Sequence, residues 1–210
     1  MEIVLKLEEE KDYKLVDEIT REAFWNTYFP GCCEHLIIHN LRKTKEFVNK
    51  LDFVAIYNNK IIGNIVYVET KVIDNNMEHT VLTFGPLSVL PEYQNKGIGS
   101  KLINHTINLS QEMGYKAIII YGDPGYYKRF GFKESKEYNI TNKDKKYPAA
   151  LLVLELYPNA LNGIAGIFEE GKNYEINEKE LEEFEKGFTE KDKMVTKSQE
   201  RFIEIGNKYL

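Results

Sequence analysis

Leu87-Ser88-Val89-Leu90-Pro91-Glu92-Tyr93-Gln94-Asn95-Lys96-Gly97-Ile98-Gly99 is the stretch that decides the reading of this chain. A short apolar run stops at a proline. A polar turn follows, and Gly97 and Gly99 then open an amphipathic segment. The order is strand, loop, helix N-terminus. A helix N-terminus presents unpaired N–H groups and the positive end of the dipole, so it can hold a phosphate. The glycines remove side chains that would keep a diphosphate from the backbone.

Gln94-Asn95-Lys96-Gly97-Ile98-Gly99 resembles the Gln/Arg-x-x-Gly-x-Gly/Ala motif of the GNAT superfamily of N-acetyltransferases. In that family the motif grips the pyrophosphate of acetyl-CoA. The resemblance therefore implies Gln94, Asn95, Lys96, Gly97, Ile98, Gly99 and Ser100 as contacts of that cofactor. Two other phosphate-binding patterns are absent: the Gly-x-x-x-x-Gly-Lys-Ser/Thr loop, and Gly-x-Gly-x-x-Gly with a later acidic residue.

Working back from the motif, Thr80–Leu90 reads as a strand interrupted by Gly85-Pro86. A proline cannot donate to a ladder, so the pair predicts a bulge or a splayed edge. The family uses such a splay to seat the pantetheine arm and thioester, which implies that role for Leu87, Ser88 and Val89. Working forward, 97–113 predicts a helix with Ile98, Leu102, Leu109 and Met113 as its inner stripe and His105 packed beside it. Ala117–Tyr121 is a continuous apolar strand. Gly122-Asp123-Pro124-Gly125-Tyr126-Tyr127-Lys128-Arg129-Phe130-Gly131-Phe132 then resembles the Tyr-x-x-x-Gly-Phe segment of the same family. The family often sets a tyrosine four residues before that glycine, facing the CoA sulfur. This implies Tyr127 as the catalytic acid, with Tyr126 as the competing position. The family's usual asparagine and alanine upstream are replaced here by the Gly-Asp-Pro-Gly turn.

The remaining elements follow from periodicity. A strand is expected over Ile3–Leu7, helices over Lys11–Trp25 and Cys32–Lys50, and strands over Phe53–Tyr57 and Ile61–Glu69 joined by an asparagine turn. Lys71–Glu78 reads as a polar loop or strand end. A strand is expected near Tyr138–Ile140, and a last one over 151–156. The expected fold is α/β (α+β): a mixed, mostly antiparallel sheet flanked by helices. The resemblance covers 1–156, about three quarters of the chain. An extension, 157–210, follows, with helices near 177–186 (Asn177 as cap) and 198–208 (Phe202 and Ile205 inward). Its Glu/Lys runs read as a solvated face; a cover over the acceptor site or a dimer contact is the functional alternative.

The resemblance implies an N-acetyltransferase that passes the acetyl group of acetyl-CoA to a primary amine of a small molecule or peptide, attacked directly in a ternary complex. The helix-loop-helix carrying Trp25, Glu34 and His35 is expected to line the acceptor. A free alkyl amine has a pKa near ~10.4, so a base is needed. Glu69, His79, Glu34, His35 and an ordered water chain are the candidates. The alternative is a non-catalytic acyl-CoA-binding sensor or scaffold.

Composition narrows the partners. The formal net charge is −5, with 33 acidic against 28 basic residues, which argues against a nucleic-acid footprint. No apolar run reaches the ~20 residues of a membrane span, and the early acidic run Glu8-Glu9-Glu10 is unlike a signal peptide, so a cytoplasmic location is expected. The adjacent Cys32 and Cys33 lack metal or redox spacing, so free thiols and no metal are expected. A homodimer is common in the family.

Overall fold

Two asparagine pairs set the register of the sheet. The structure, a computed structural model, describes residues 1–210 apart from the side chain of Asn173. Asn58 and Asn59 have φ of 49° and 61°, and Asn75 and Asn76 have φ of 45° and 70°. Asparagine tolerates this left-handed region, and paired positive φ is what tight two-residue hairpins require. The first pair joins β2 (Phe53–Tyr57) to β3 (Lys60–Asp74), and the second joins β3 to β4 (Met77–Val89). Of the two readings of Lys71–Glu78, strand end holds: the stretch is the tip of the β3–β4 hairpin. Val72 there is fully buried between the exposed Lys71 and the half-buried Ile73, so the alternation of a strand continues past Glu69.

With β1 (Val4–Leu7), β5 (Ala117–Tyr121), β6 (Lys133–Glu134) and β8 (Leu151–Glu155), the sheet runs β1-β2-β3-β4-β5-β8-β6. Along that path every pairing is antiparallel except β4 with β5. That parallel pair touches only at Leu82 opposite Ile118, and beyond it the two strands separate. The separation begins where Gly85-Pro86 gives β4 an extra residue: Tyr67 faces Phe84, but Ile65 faces Leu87.

Helix α1 (Tyr13–Phe24) and helix α3 (Ile98–Glu112) cover opposite faces. Thr20 of α1 reaches Asn64 of β3, while Thr106 of α3 bonds the Tyr67 hydroxyl at 2.9 Å. Residues 64 and 67 of one strand point to opposite sides. The inner stripe of α3 is Ile98, Leu102, Ile103, Thr106 and Ser110, while Met113 is 39 % exposed because the helix has already ended at Glu112. Helix α2 (Glu34–Leu41) is much shorter than the expected 32–50. Thr44 bonds back to the Leu41 carbonyl at 2.8 Å, and Arg42 turns inward onto Glu8 and Asp17 at 2.7 and 2.6 Å. The expected strand at 138–140 is a 3-10 turn, Ser135–Tyr138, before the short β7 (Ile140–Thr141).

After β8 the chain folds back over the same sheet. Strand β9 (Gly166–Glu169) pairs with β3 and β7. Helix α5 (Glu178–Glu185) starts at Asn177, whose side chain accepts from the N–H groups of Lys179 and Glu180, and lies against α1 and α2. Helix α6 (Lys197–Gly206) follows, and Ala149 N–H then bonds the Lys208 carbonyl. In α6 the buried residue is Gln199, which donates to the Asn26 and Met194 carbonyls; Phe202 is 49 % exposed but stacks on Tyr28 at 4.4 Å.

Candidate active site

The wedge between β4 and β5 opens into a cavity of about 660 Å³. Four parts of the chain wall it: the end of α1 with the start of α2, the bulge of β4, the 93–100 loop, and the end of β5 with α4 (Pro124–Tyr127). Glu170 and Tyr174 of the C-terminal segment close the remaining side.

One end is built by the opening sequence motif. Asn95, Gly97, Ile98, Gly99 and Ser100 line it. Gly97 caps α3 with φ 80°, and a Cβ there would meet no atom within 4 Å, so a side chain would enter the open space itself. The first helical bond is Lys101 N–H to the Gly97 carbonyl, which leaves the N–H groups before it free for an anion. Gln94 lines this end too, and its side chain braces the loop by donating to the Val89 carbonyl at 3.0 Å. Lys96 lies outside the cavity: its ammonium caps the Glu92 carbonyl at 2.6 Å above the Tyr93 ring.

In the middle, Leu87 and Val89 line the cavity and Ser88 does not. Leu90 N–H bonds the Ile62 carbonyl, so Leu90 and Ser88 turn their backbone toward β3. Leu87 and Val89 turn theirs to the edge that β5 has left. The Ser88 hydroxyl is buried on the other face, donating to Thr20 at 2.9 Å.

Tyr127 and Tyr126 both line the cavity. Burial holds the Tyr127 phenol well above its ordinary range, helped by the nearby Tyr28, Tyr126 and Tyr67, so it stays protonated. Its place depends on Gly122, where a Cβ would stand 2.3 Å from the tyrosine ring. Asp123 caps the short helix beneath it by accepting from Gly125 N–H at 2.8 Å.

Two carboxyls face the far end. Glu34, 9 % exposed, is pushed up to about 7 by burial, against the pull of the backbone N–H groups at the start of α2. One of its oxygens accepts from Cys33 N–H at 3.0 Å. Glu170 is likewise pushed up to about 7 by burial. Neither has a cationic partner among the described residues.

Four residues expected here are elsewhere. Trp25 donates to the Asp192 carbonyl at 3.0 Å and packs under Arg21 at 4.1 Å, outside the cavity. Glu69 is exposed and accepts from Tyr115 at 2.7 Å in a separate surface hollow shared with His79; Glu69 stands opposite Leu82 and His79 opposite Val72, both on the hairpin side of the bulge. His35 is fully buried, with Nε2 at 2.7 Å from Glu185 and Nδ1 at 3.5 Å from Cys32. Burial lowers it to about 4, outweighing Glu185, so it is neutral. Cys32, His35 and Glu185 approach one another closely, but the two partners sit on different ring nitrogens, and Arg21 already binds both Glu185 oxygens at 2.8–3.2 Å. Through Glu185 the set clasps α5 against α1 and α2. Both cysteines are free thiols.

Glu170, Tyr174 and Gly122 were not singled out from the sequence. The first two are placed by β9, whose pairing is long-range; the third is legible only as part of the Gly-Asp-Pro-Gly turn.

A strand bulge, a splay and a glycine-opened helix thus meet on one cavity. Residues 49–134 match a family model described as acetyltransferase (GNAT) domain. The uncharacterized N-acetyltransferase YhbS of Escherichia coli (strain K12) is 26 % identical over 149 residues, spanning 70 % of this chain and 87 % of that protein. YjhQ of the same organism, also called an uncharacterized N-acetyltransferase, is 32 % identical over 102 residues, spanning 47 % of this chain and 51 % of that protein. The crystal structure of E. coli YhbS in complex with CoA superposes with a TM-score of 0.73 at 24 % identity, over 83 % of this chain and 92 % of that one. A GNAT acetyltransferase from Brucella melitensis in complex with acetyl-CoA gives 0.66 at 24 % identity, over 83 % and 99 %. This chain has the GNAT fold, and its residues 49–134 are similar to the GNAT acetyltransferase domain. Among the described residues, no helix is long and apolar enough to cross a membrane.

Proposed function

We propose that this protein transfers the acetyl group of acetyl-CoA to a primary amine of a small molecule or peptide by direct attack within a ternary complex. The observation that carries the reading is the cavity itself. It joins a glycine-opened helix N-terminus, an unpaired strand edge, a protonated tyrosine and a buried carboxyl in one continuous space.

The residues fit the cofactor. Open space at Gly97 and the free N–H groups from Ile98 to Ser100 suit a pyrophosphate. The edge of Leu87 and Val89 suits an amide-bearing arm. When bound, acetyl-CoA supplies an activated thioester carbonyl and a thiolate leaving group.

The chain's own residues supply the rest. Backbone N–H groups at Leu87 and Val89 orient the acyl oxygen and polarise its carbonyl, in the manner of an oxyanion hole. Glu34 takes the proton from the incoming ammonium. Its raised pKa places it where a base works at neutral pH, while a carboxylate of ordinary pKa near ~4.3 would be a poor match for an amine. As the C–S bond breaks, Tyr127 would donate its hydroxyl proton to the departing sulfur and regain a proton from the newly acylated nitrogen, which loses its second one in becoming the amide. Holding both reactants side by side supplies several kcal/mol of the barrier reduction.

The test is release of free CoA from acetyl-CoA over a panel of primary amines. Wild type should turn over at least one amine, and Tyr127→Phe should lower kcat by about 100-fold or more with acetyl-CoA affinity retained. Acetyl-CoA binding without turnover of any amine would contradict the transfer reading.

A further inference from the structure

The C-terminal segment brings to the cavity a carboxyl that the chemistry above does not use. Glu170 follows directly on β9, and Tyr174 lies four residues on, its hydroxyl donating to the Gly85 carbonyl in the β4 bulge at 3.2 Å. Both line the cavity. The segment is then locked onto the helical side of the site. Arg21 grips Glu185, the Asn40 amide reaches Glu180 at 2.8 Å, and Phe184 packs on His35 and His39. The wall carrying Glu170 is thus anchored on both sides of the cavity rather than hanging over it.

The charges around this end are unbalanced. Asp123 is satisfied by Gly125 N–H and by Arg201 at 3.3 Å. Arg129, the basic residue of the lining, donates to the Tyr126 carbonyl and lies over the Tyr126 ring at 4.8 Å. Arg21 is held by Glu185. Glu34 and Glu170 remain, on different elements of the same cavity, with no cation against either among the described residues. Burying a carboxyl without a cation is unfavourable, and a ligand ammonium relieves it. Transfer needs one of these groups to take a proton. The other is free to hold a charge that is not consumed, and Tyr28, Tyr121 and Tyr174 supply apolar walls and ring faces for the alkyl chain between.

We propose that Glu170 and Tyr174 form the acceptor-recognition wall, and that Glu170 selects an acceptor bearing a second ammonium group beyond the one acetylated. This deepens the proposed function and rests on it. The acceptor class is an aliphatic diamine; an acceptor carboxylate would meet two like charges in the cavity.

The experiment uses the full-length chain and α,ω-diaminoalkanes of three to six methylenes, each paired with the n-alkylamine of equal length. CoA release gives kcat and KM, and calorimetry on CoA-saturated protein gives diamine affinity independently of turnover. In wild type at least one diamine should show a KM about tenfold or more below that of its monoamine. Glu170→Gln should raise the diamine KM and Kd about tenfold more than it raises those of the monoamine, with no loss of thermal stability. Tyr174→Phe, which severs the tie to Gly85, should weaken the diamine in the same direction. Equal KM for diamine and monoamine in wild type overturns the inference, as does an equal effect of Glu170→Gln on both. Acetyl-CoA binding together with either of those results leaves the proposed function standing. Failure to bind acetyl-CoA overturns both.

Discussion

Gly122→Ala tests whether the position of Tyr127, and not only its presence, matters to the reaction. The added Cβ would lie 2.3 and 2.5 Å from two carbons of the tyrosine ring. Carbon atoms in ordinary contact stand about 3.5–4.0 Å apart, so the ring edge must retreat by about 1–1.5 Å. It has little room, because Phe84, Phe132 and Tyr126 pack on it with centroids at 5.8, 5.7 and 5.0 Å. Overpacking of this kind costs about 1–3 kcal/mol, or a Tm lower by about 2–10 °C for a chain of this size. A misplacement of about 1 Å at a reacting group lowers turnover about 100-fold. The assay is steady-state CoA release at saturating amine, with acetyl-CoA affinity measured separately. Affinity should change by no more than about threefold, since the α3 N-terminus is untouched. The double variant with Tyr127→Phe should be no slower than Tyr127→Phe alone, because both remove one function. A folded Gly122→Ala protein with wild-type kcat would refute the reasoning and remove Tyr127 from the acid role.

Three further outcomes follow from the buried charges. With Glu34 as the base, kcat/KM should rise with pH through about 7 and level off above it, and Glu34→Gln should abolish that rise with a large loss of rate. The same raised pKa means that the folded state binds the Glu34 proton more tightly than the unfolded state. Glu34 therefore lowers stability as pH climbs from its unfolded value near ~4.3 to about 7, so Glu34→Gln should raise Tm at pH 8 while lowering activity. Arg21→Ala should destabilise by about 3–5 kcal/mol in denaturant titration, because it leaves the half-buried Glu185 carboxylate without a cation beside a neutral His35, and limited proteolysis should then cut first within 186–196.

The parts of the site that are local in sequence were legible from it. Gly97 and Gly99 behind a proline-terminated strand marked the helix N-terminus, and Gly85-Pro86 marked the bulge, because backbone constraints at those residue types act within a few positions. The asparagine turn at 58–59 was legible for the same reason. The second pair, Asn75 and Asn76, obeys the same rule, but the charged residues around it left loop and strand end both open, so the run of β3 past Glu69 was not legible. His35 looked like an acceptor-site residue on the basis of position alone. Its burial depends on Glu185 and Phe184, which lie 150 residues and 149 residues further along and cannot be paired with it from local pattern. Glu170 and Tyr174 escaped for the same physical reason: nothing near them in sequence indicates that β9 joins β3 and turns the following residues into the cavity.

The most direct measurement is acetyl-CoA binding by calorimetry to wild type, Gly97→Glu and Gly97→Asn. Asparagine tolerates the left-handed cap conformation and carries no charge, whereas glutamate places a carboxylate in the open space in front of α3. Wild type should bind clearly, Gly97→Asn should show a modest loss and Gly97→Glu a loss of about 100-fold or more, with all three folded. A folded wild type that does not bind acetyl-CoA, or equal affinity in wild type and Gly97→Glu, would contradict the claim that this cavity is the cofactor site.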